Sequence, residues 1–76
     1  MDIKIYSTPA CPYCKMAKEY FSSKNVSYND VDVSSDQAAL EEMVKLSGQM
    51  GVPVIVVNDE VIVGFDKTRI ESLLGQ

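Results

Sequence analysis

The chain has no histidine, only two cysteines, and just three prolines and four glycines among 76 residues. With no histidine and no third cysteine, a closed four-ligand zinc site would have to recruit carboxylates, which such sites rarely use. Scarce proline and glycine, with 46% apolar and 24% charged residues, exclude a disordered or low-complexity chain. No repeat or linker divides it, so residues 1–76 read as one domain. The seven basic residues are scattered and the formal net charge is −4, which argues against nucleic-acid binding. The longest apolar run, Val52 to Val57, is far too short to span a membrane. The opening MDIKIYSTPA lacks the basic and apolar regions of a signal peptide, so a cytoplasmic location is the expectation. With no large exposed apolar stretch, a monomer is expected.

The two cysteines are Cys11 and Cys14, in the stretch Cys11-Pro12-Tyr13-Cys14. In a reducing compartment they are not a permanent staple. A bridge across so small a loop would also remove little entropy from the unfolded chain.

Periodicity gives the surroundings of this pair. Ile3 to Tyr6 alternates and reads as a strand. A helix is predicted from Pro12 to Ser23, with Met16, Ala17, Tyr20 and Phe21 facing inward and Asn25 as a left-handed stop. Val26 to Val33 reads as a second strand, although its alternation slips at Asn29-Asp30. Ser34 or Ser35 is the expected cap of a second helix carrying Leu40, Met43, Val44 and Leu46 inward and ending at Gly48. Val52 to Val57 is the third strand, Asn58-Asp59 a turn, and Glu60 to Val63 the returning strand. Asp66 caps a last helix that turns Ile70, Leu73 and Leu74 inward. The order β-α-β-α-β-β-α predicts an α/β fold: a mixed four-stranded sheet flanked by three helices on both faces.

Cys11 therefore falls at the N-terminus of the first helix, where unpaired N–H groups and the positive end of the macrodipole favour an anion. Cysteines in such settings have their thiolates stabilised. Cys14 lies one turn on, on the same face and within reach. A CxxC beside a βαβ pattern is a thioredoxin-like redox cue, and Cys11 reads as nucleophile with Cys14 as resolving thiol. Half a zinc site, or two inert core cysteines, are the bland alternatives.

Two further motifs are ambiguous on the residues alone. Val52–Pro53 could be a cis peptide turning its backbone toward Cys11, but base rates favour an ordinary trans proline at a strand start. Gly64-Phe65-Asp66 could form an anion-holding helix N-terminus, or simply a turn and a cap.

Together, CPYC after the first strand, Val-Pro before the third and Gly-Phe-Asp after the hairpin resemble a dithiol glutaredoxin of the thioredoxin-fold superfamily, over essentially the whole chain. The resemblance implies a thiol–disulfide oxidoreductase that reduces protein disulfides and glutathione mixed disulfides, with glutathione as reductant and no metal. It implies that Pro53 is cis and that Val52 offers its backbone to glutathione. Gly64, Phe65 and Asp66 would bound the γ-glutamyl site, Tyr13 would flank the mixed disulfide, and Gln49 would meet the glycine carboxylate. Several positions depart from the family pattern. Thr8 stands where a lysine is frequent, Val63 replaces the first of two glycines, and Lys67 replaces a second aspartate. Lys15, Lys18 and Lys67 are candidates to compensate for those losses. The departures keep open a glutathione-independent alternative, resembling proteins that supply electrons to ribonucleotide reductase and are recharged by thioredoxin reductase. An iron–sulfur carrier, with Cys11 from each of two protomers as ligand, is a third reading.

Overall fold

In the computed structural model, which describes residues 2–75, the chain runs β1 (Ile3–Ser7), α1 (Pro12–Ser23), β2 (Asn29–Asp32), α2 (Gln37–Ser47), β3 (Val54–Val57), β4 (Glu60–Val63) and α3 (Lys67–Leu74). The strands form one sheet in the order β2-β1-β3-β4. β1 and β2 run parallel, joined through α1, while β3 pairs antiparallel with both β1 and β4. This is the expected mixed sheet with three helices.

The period of two along each strand divides the core. Ile3, Ile5, Ile55, Val57 and Ile62 face Ala17, Tyr20 and Phe21 of α1 and Ile70 of α3. Tyr6 and Val54, one residue out of step, face Met43 of α2 and Val33 instead. Full burial of each Ile, Val, Phe or Met side chain among them contributes about 1.5–3 kcal/mol, and removing Phe21 to alanine should cost about 3–5 kcal/mol.

Several sequence expectations need correction. The second strand is shorter than Val26–Val33. The Val26 N–H donates back to the Phe21 carbonyl at 3.0 Å, which closes the end of α1. Val26 and Tyr28 then pack on the core from a loop rather than a strand. The cap of α2 is Asp36, whose carboxylate accepts from the Ala39 N–H at 3.1 Å. Ser34 is instead held by Asp32, which accepts from its N–H at 2.9 Å. β3 starts at Val54 rather than Val52. The Val52–Pro53 peptide is cis, against the residue-based reading and as the family resemblance implied. Met16 and Leu46, expected inward, are 48% and 46% exposed.

Other signals hold as read. Asn25 (φ 58°) and Asn58 (φ 56°) take the left-handed conformation that asparagine tolerates. Gly48 and Asp66 bound their helices as expected. No helix among the described residues is long and apolar enough to cross a membrane.

Candidate active site

The loop after β1 places the first cysteine. The Cys11 N–H donates to the Thr8 carbonyl at 3.3 Å, which turns the chain, and Pro12 occupies the first turn of α1, where a missing N–H is harmless. Cys11 is itself the N-cap: its Sγ accepts from the Cys14 N–H at 3.1 Å. The sulfur thus takes the place that a serine or aspartate oxygen usually fills, facing the positive end of the helix.

Cys11 and Cys14 are joined as a disulfide with their Cα atoms 5.2 Å apart, within the usual span for such a bond. The two are unequal. Cys14 is fully buried, whereas Cys11 is only partly covered and lines a depression of about 370 Å³ beside Pro9 and Lys15. An incoming sulfur can therefore approach Cys11 and not Cys14.

Strand register brings the other motifs to the same end of the sheet. Tyr6 pairs with Val54, and Val54 with Val63, so the residues after β1, before β3 and after β4 lie at one end of the sheet. There the Gly64 N–H donates to the Pro53 carbonyl at 2.8 Å. Gly64 has φ +83° with open space around its missing Cβ, so backbone conformation rather than crowding requires glycine. Pro53 is buried and Val52 partly so. Among the described residues, no hydrogen bond takes up the Val52 main-chain groups.

The remaining expected residues divide. Tyr13 is 63% exposed on the first turn of α1, free to flank a bound partner. Phe65 packs edge-on against Tyr20 with ring centroids 5.9 Å apart. The Asp66 carboxylate caps α3 by accepting from the Arg69 N–H at 3.2 Å. The Gln49 amide is turned onto its own loop, accepting from the Gly51 N–H at 2.6 Å and donating to the Gly51 carbonyl at 3.0 Å. Of the three lysines that could compensate for lost charge contacts, Lys18 is held elsewhere, 2.8 Å from the Asp30 carboxylate.

Asp30 belongs to a cluster that sequence reasoning missed. Buried Ser7, the last residue of β1, donates to Asp30 at 2.7 Å, so α1, β1 and β2 are tied together just behind the reactive loop. Burial pushes the Asp30 carboxyl up, but hydrogen bonds from Lys18 and Ser7 outweigh it and hold the group below its ordinary value. The signal was present in the slip of alternation at Asn29-Asp30, which puts a carboxylate on the α1 face.

A mixed sheet of this topology, with a partly exposed cysteine capping α1 and a buried one a turn later, defines a thiol–disulfide oxidoreductase of thioredoxin-like fold. The glutaredoxin family model matches residues 3–62, and the chain belongs to that family. It is 54% identical, over 95% of its length and 96% of the relative's, to an uncharacterized glutaredoxin-like 8.6 kDa protein in the rubredoxin operon of Clostridium pasteurianum. It is 40% identical to glutaredoxin 3 of Escherichia coli strain K12, covering 86% of this chain and 78% of that one. Among solved structures, the T8A mutant of the thioredoxin-like protein BC3987 superposes with a TM-score of 0.91 at 32% identity, covering 97% and 95% of the two chains. The glutaredoxin-like NrdH-redoxin from Escherichia coli, described as having a thioredoxin-like activity profile, gives 0.83 at 25% identity over 96% and 95%.

Proposed function

We propose that this protein reduces protein disulfides and glutathione mixed disulfides with glutathione as electron donor, Cys11 being the attacking sulfur. The observation that carries this reading is the placement of partly exposed Cys11 at the N-cap of α1, at the same end of the sheet as the unpaired main chain of Val52. A bound cysteinyl peptide could pair with those free groups as a short added strand. Tyr13, Gly64, Phe65 and Asp66 would bound that peptide.

The chemistry balances as two exchanges. The Cys11 thiolate attacks one sulfur of the substrate disulfide; a mixed disulfide forms and the other sulfur leaves as a thiolate that takes up a proton. Either a glutathione thiolate then attacks that bond and releases reduced Cys11, or Cys14 loses its proton and attacks, releasing the substrate thiol and leaving the Cys11–Cys14 disulfide. Two glutathione molecules reduce this disulfide and become glutathione disulfide. Rates follow the thiolate fraction of the attacker and the acidity of the leaving thiol. Such turnover suits a reducing compartment, in keeping with a cytoplasmic site of action.

A second reading has its own support. The Gln49 amide is engaged by its own loop, Lys18 is paired with Asp30, and Val63 and Lys67 alter the pocket that the family pattern predicts. These losses weaken recognition of glutathione's charges and favour thioredoxin reductase as donor. The test is reduction of a glutathionylated small disulfide with glutathione and glutathione reductase, compared with thioredoxin reductase alone. Turnover with glutathione supports the first reading; turnover only with thioredoxin reductase replaces it with the second.

A further inference from the structure

Two depressions lie along one side of α1 and meet at Met16 and Glu19. The first begins at Cys11 and Lys15. The second, of about 410 Å³, continues across the Tyr20 ring to Phe65 and Lys67. Met16 stands between them, 48% exposed, a flexible thioether suited to varied apolar side chains.

The charges around this groove run against those of the whole molecule. Lys4, Lys18 and Arg69 are each paired with a carboxylate. Among the described residues, Lys15, Lys24, Lys45 and Lys67 make no ion pair, and three of these four flank the groove. Lys15 lines its reactive end, and the Lys24 and Lys67 ammonium groups lie 5.7 and 5.8 Å from the centre of the Tyr20 ring. Glu19 is the one acidic residue lining either depression. A chain of net charge −4 thus sets three of its four uncommitted positive charges along the groove that begins at its redox pair.

Length decides what fits. From Cys11 to Lys24 the helix rises roughly 20 Å at 1.5 Å per residue. An extended tripeptide covers only about 10 Å at roughly 3.3 Å per residue, so glutathione seated between Cys11 and Phe65 does not reach the end of the groove at Lys24. The geometry points to this groove as the seat of the polypeptide flanking a substrate protein's disulfide. That polypeptide carries an apolar residue next to the reactive cysteine, resting on Met16, and acidic residues beyond it, facing Lys24 and Lys67. The inference rests on Cys11 being the attacking sulfur.

The test uses two eight-residue peptides, each with its cysteine in a mixed disulfide to a chromophoric aromatic thiol. In one the cysteine is followed by leucine and three glutamates, in the other by leucine and three lysines. Release of the aromatic thiol by the reduced wild-type protein gives a second-order rate for each. At low ionic strength the acidic peptide should react about tenfold faster, and the difference should collapse in high salt. The K24E/K67E protein should reverse the order. Because the net charge alone would favour the basic peptide, equal rates or a faster basic peptide in the wild-type protein overturn the inference. If neither peptide reacts, the attacking role of Cys11 fails instead, and the inference with it.

Discussion

The side-chain amide of Gln49 closes on both main-chain groups of Gly51, taking its N–H at 2.6 Å and giving to its carbonyl at 3.0 Å. A Cβ on residue 51 would lie 2.6 Å from Gln49 Oε1, so glycine there lets the amide approach. The pair folds the loop that leads into Val52 and Pro53.

Replacing Gln49 with alanine should therefore lower stability, by about 1–2 kcal/mol for three lost hydrogen bonds, two to Gly51 and one to the Ser47 hydroxyl, in a partly solvated loop. Each kcal/mol corresponds to a fall in Tm of about 4–8 °C in a domain of this size. Thermal unfolding followed by circular dichroism reads the effect. An unchanged Tm alongside a raised KM for glutathione would mean that the amide serves the ligand rather than the loop.

Tyr20 presents the opposite case. Its hydroxyl is buried with no hydrogen-bond partner among the described residues, and burial, followed by the charge on Glu71, pushes its pKa up. An unsatisfied buried hydroxyl is a standing cost. Tyr20→Phe keeps the ring and its edge-on contacts with Phe21 and Phe65. The variant should be more stable by about 1 kcal/mol in urea unfolding. Destabilisation would reveal that a bound water satisfies the hydroxyl.

Asp30 links stability to pH. Its carboxyl is depressed in the folded protein below the ordinary 3.8, so its contribution is present above that value and is lost as acid protonates the folded group. Its side chain is 42% exposed, so solvent screens the pairing with Lys18 and the effect is modest. The Tm difference between the wild type and Asp30→Asn should be largest near neutrality and should close as the pH falls below 3.8. A difference that persists unchanged into acid would place the role of Asp30 in shape rather than charge.

Local signals were legible wherever one short segment decides the outcome. Pro12 at the start of α1, Asn25 and Gly48 at helix ends, the Asn58 turn and the Asp66 cap all follow from backbone preferences that tertiary packing does not override. The end of α1 was harder. Val26 and Tyr28 are apolar because they cover the core, and a loop that does so alternates like a strand. Ser34, Ser35 and Asp36 compete for one cap, and only the fold shows that Asp32 engages Ser34.

The site was legible to the same degree. The cysteine pair and its place on α1 follow from sequence, as does the burial of Cys14. The cis bond at Pro53 does not follow from the residues alone, whose base rates favour trans; the resemblance to a family implies it. Met16 was misplaced because helical periodicity fixes a face but not where the protein behind it ends. The Ser7–Asp30–Lys18 cluster joins three elements, and its one local trace is the slip of alternation at Asn29-Asp30.

The most direct measurement traps the sulfur that attacks. Cys14→Ser and Cys11→Ser are each reduced, exposed to glutathione disulfide, and examined by mass spectrometry with peptide mapping. Cys14→Ser should accumulate a single glutathione adduct on Cys11 and retain reduction of mixed disulfides. Cys11→Ser should remain unmodified and inactive, its one thiol being buried. Equal modification of Cys14 in the Cys11→Ser protein, with activity retained, would contradict the assignment of Cys11 as the nucleophile.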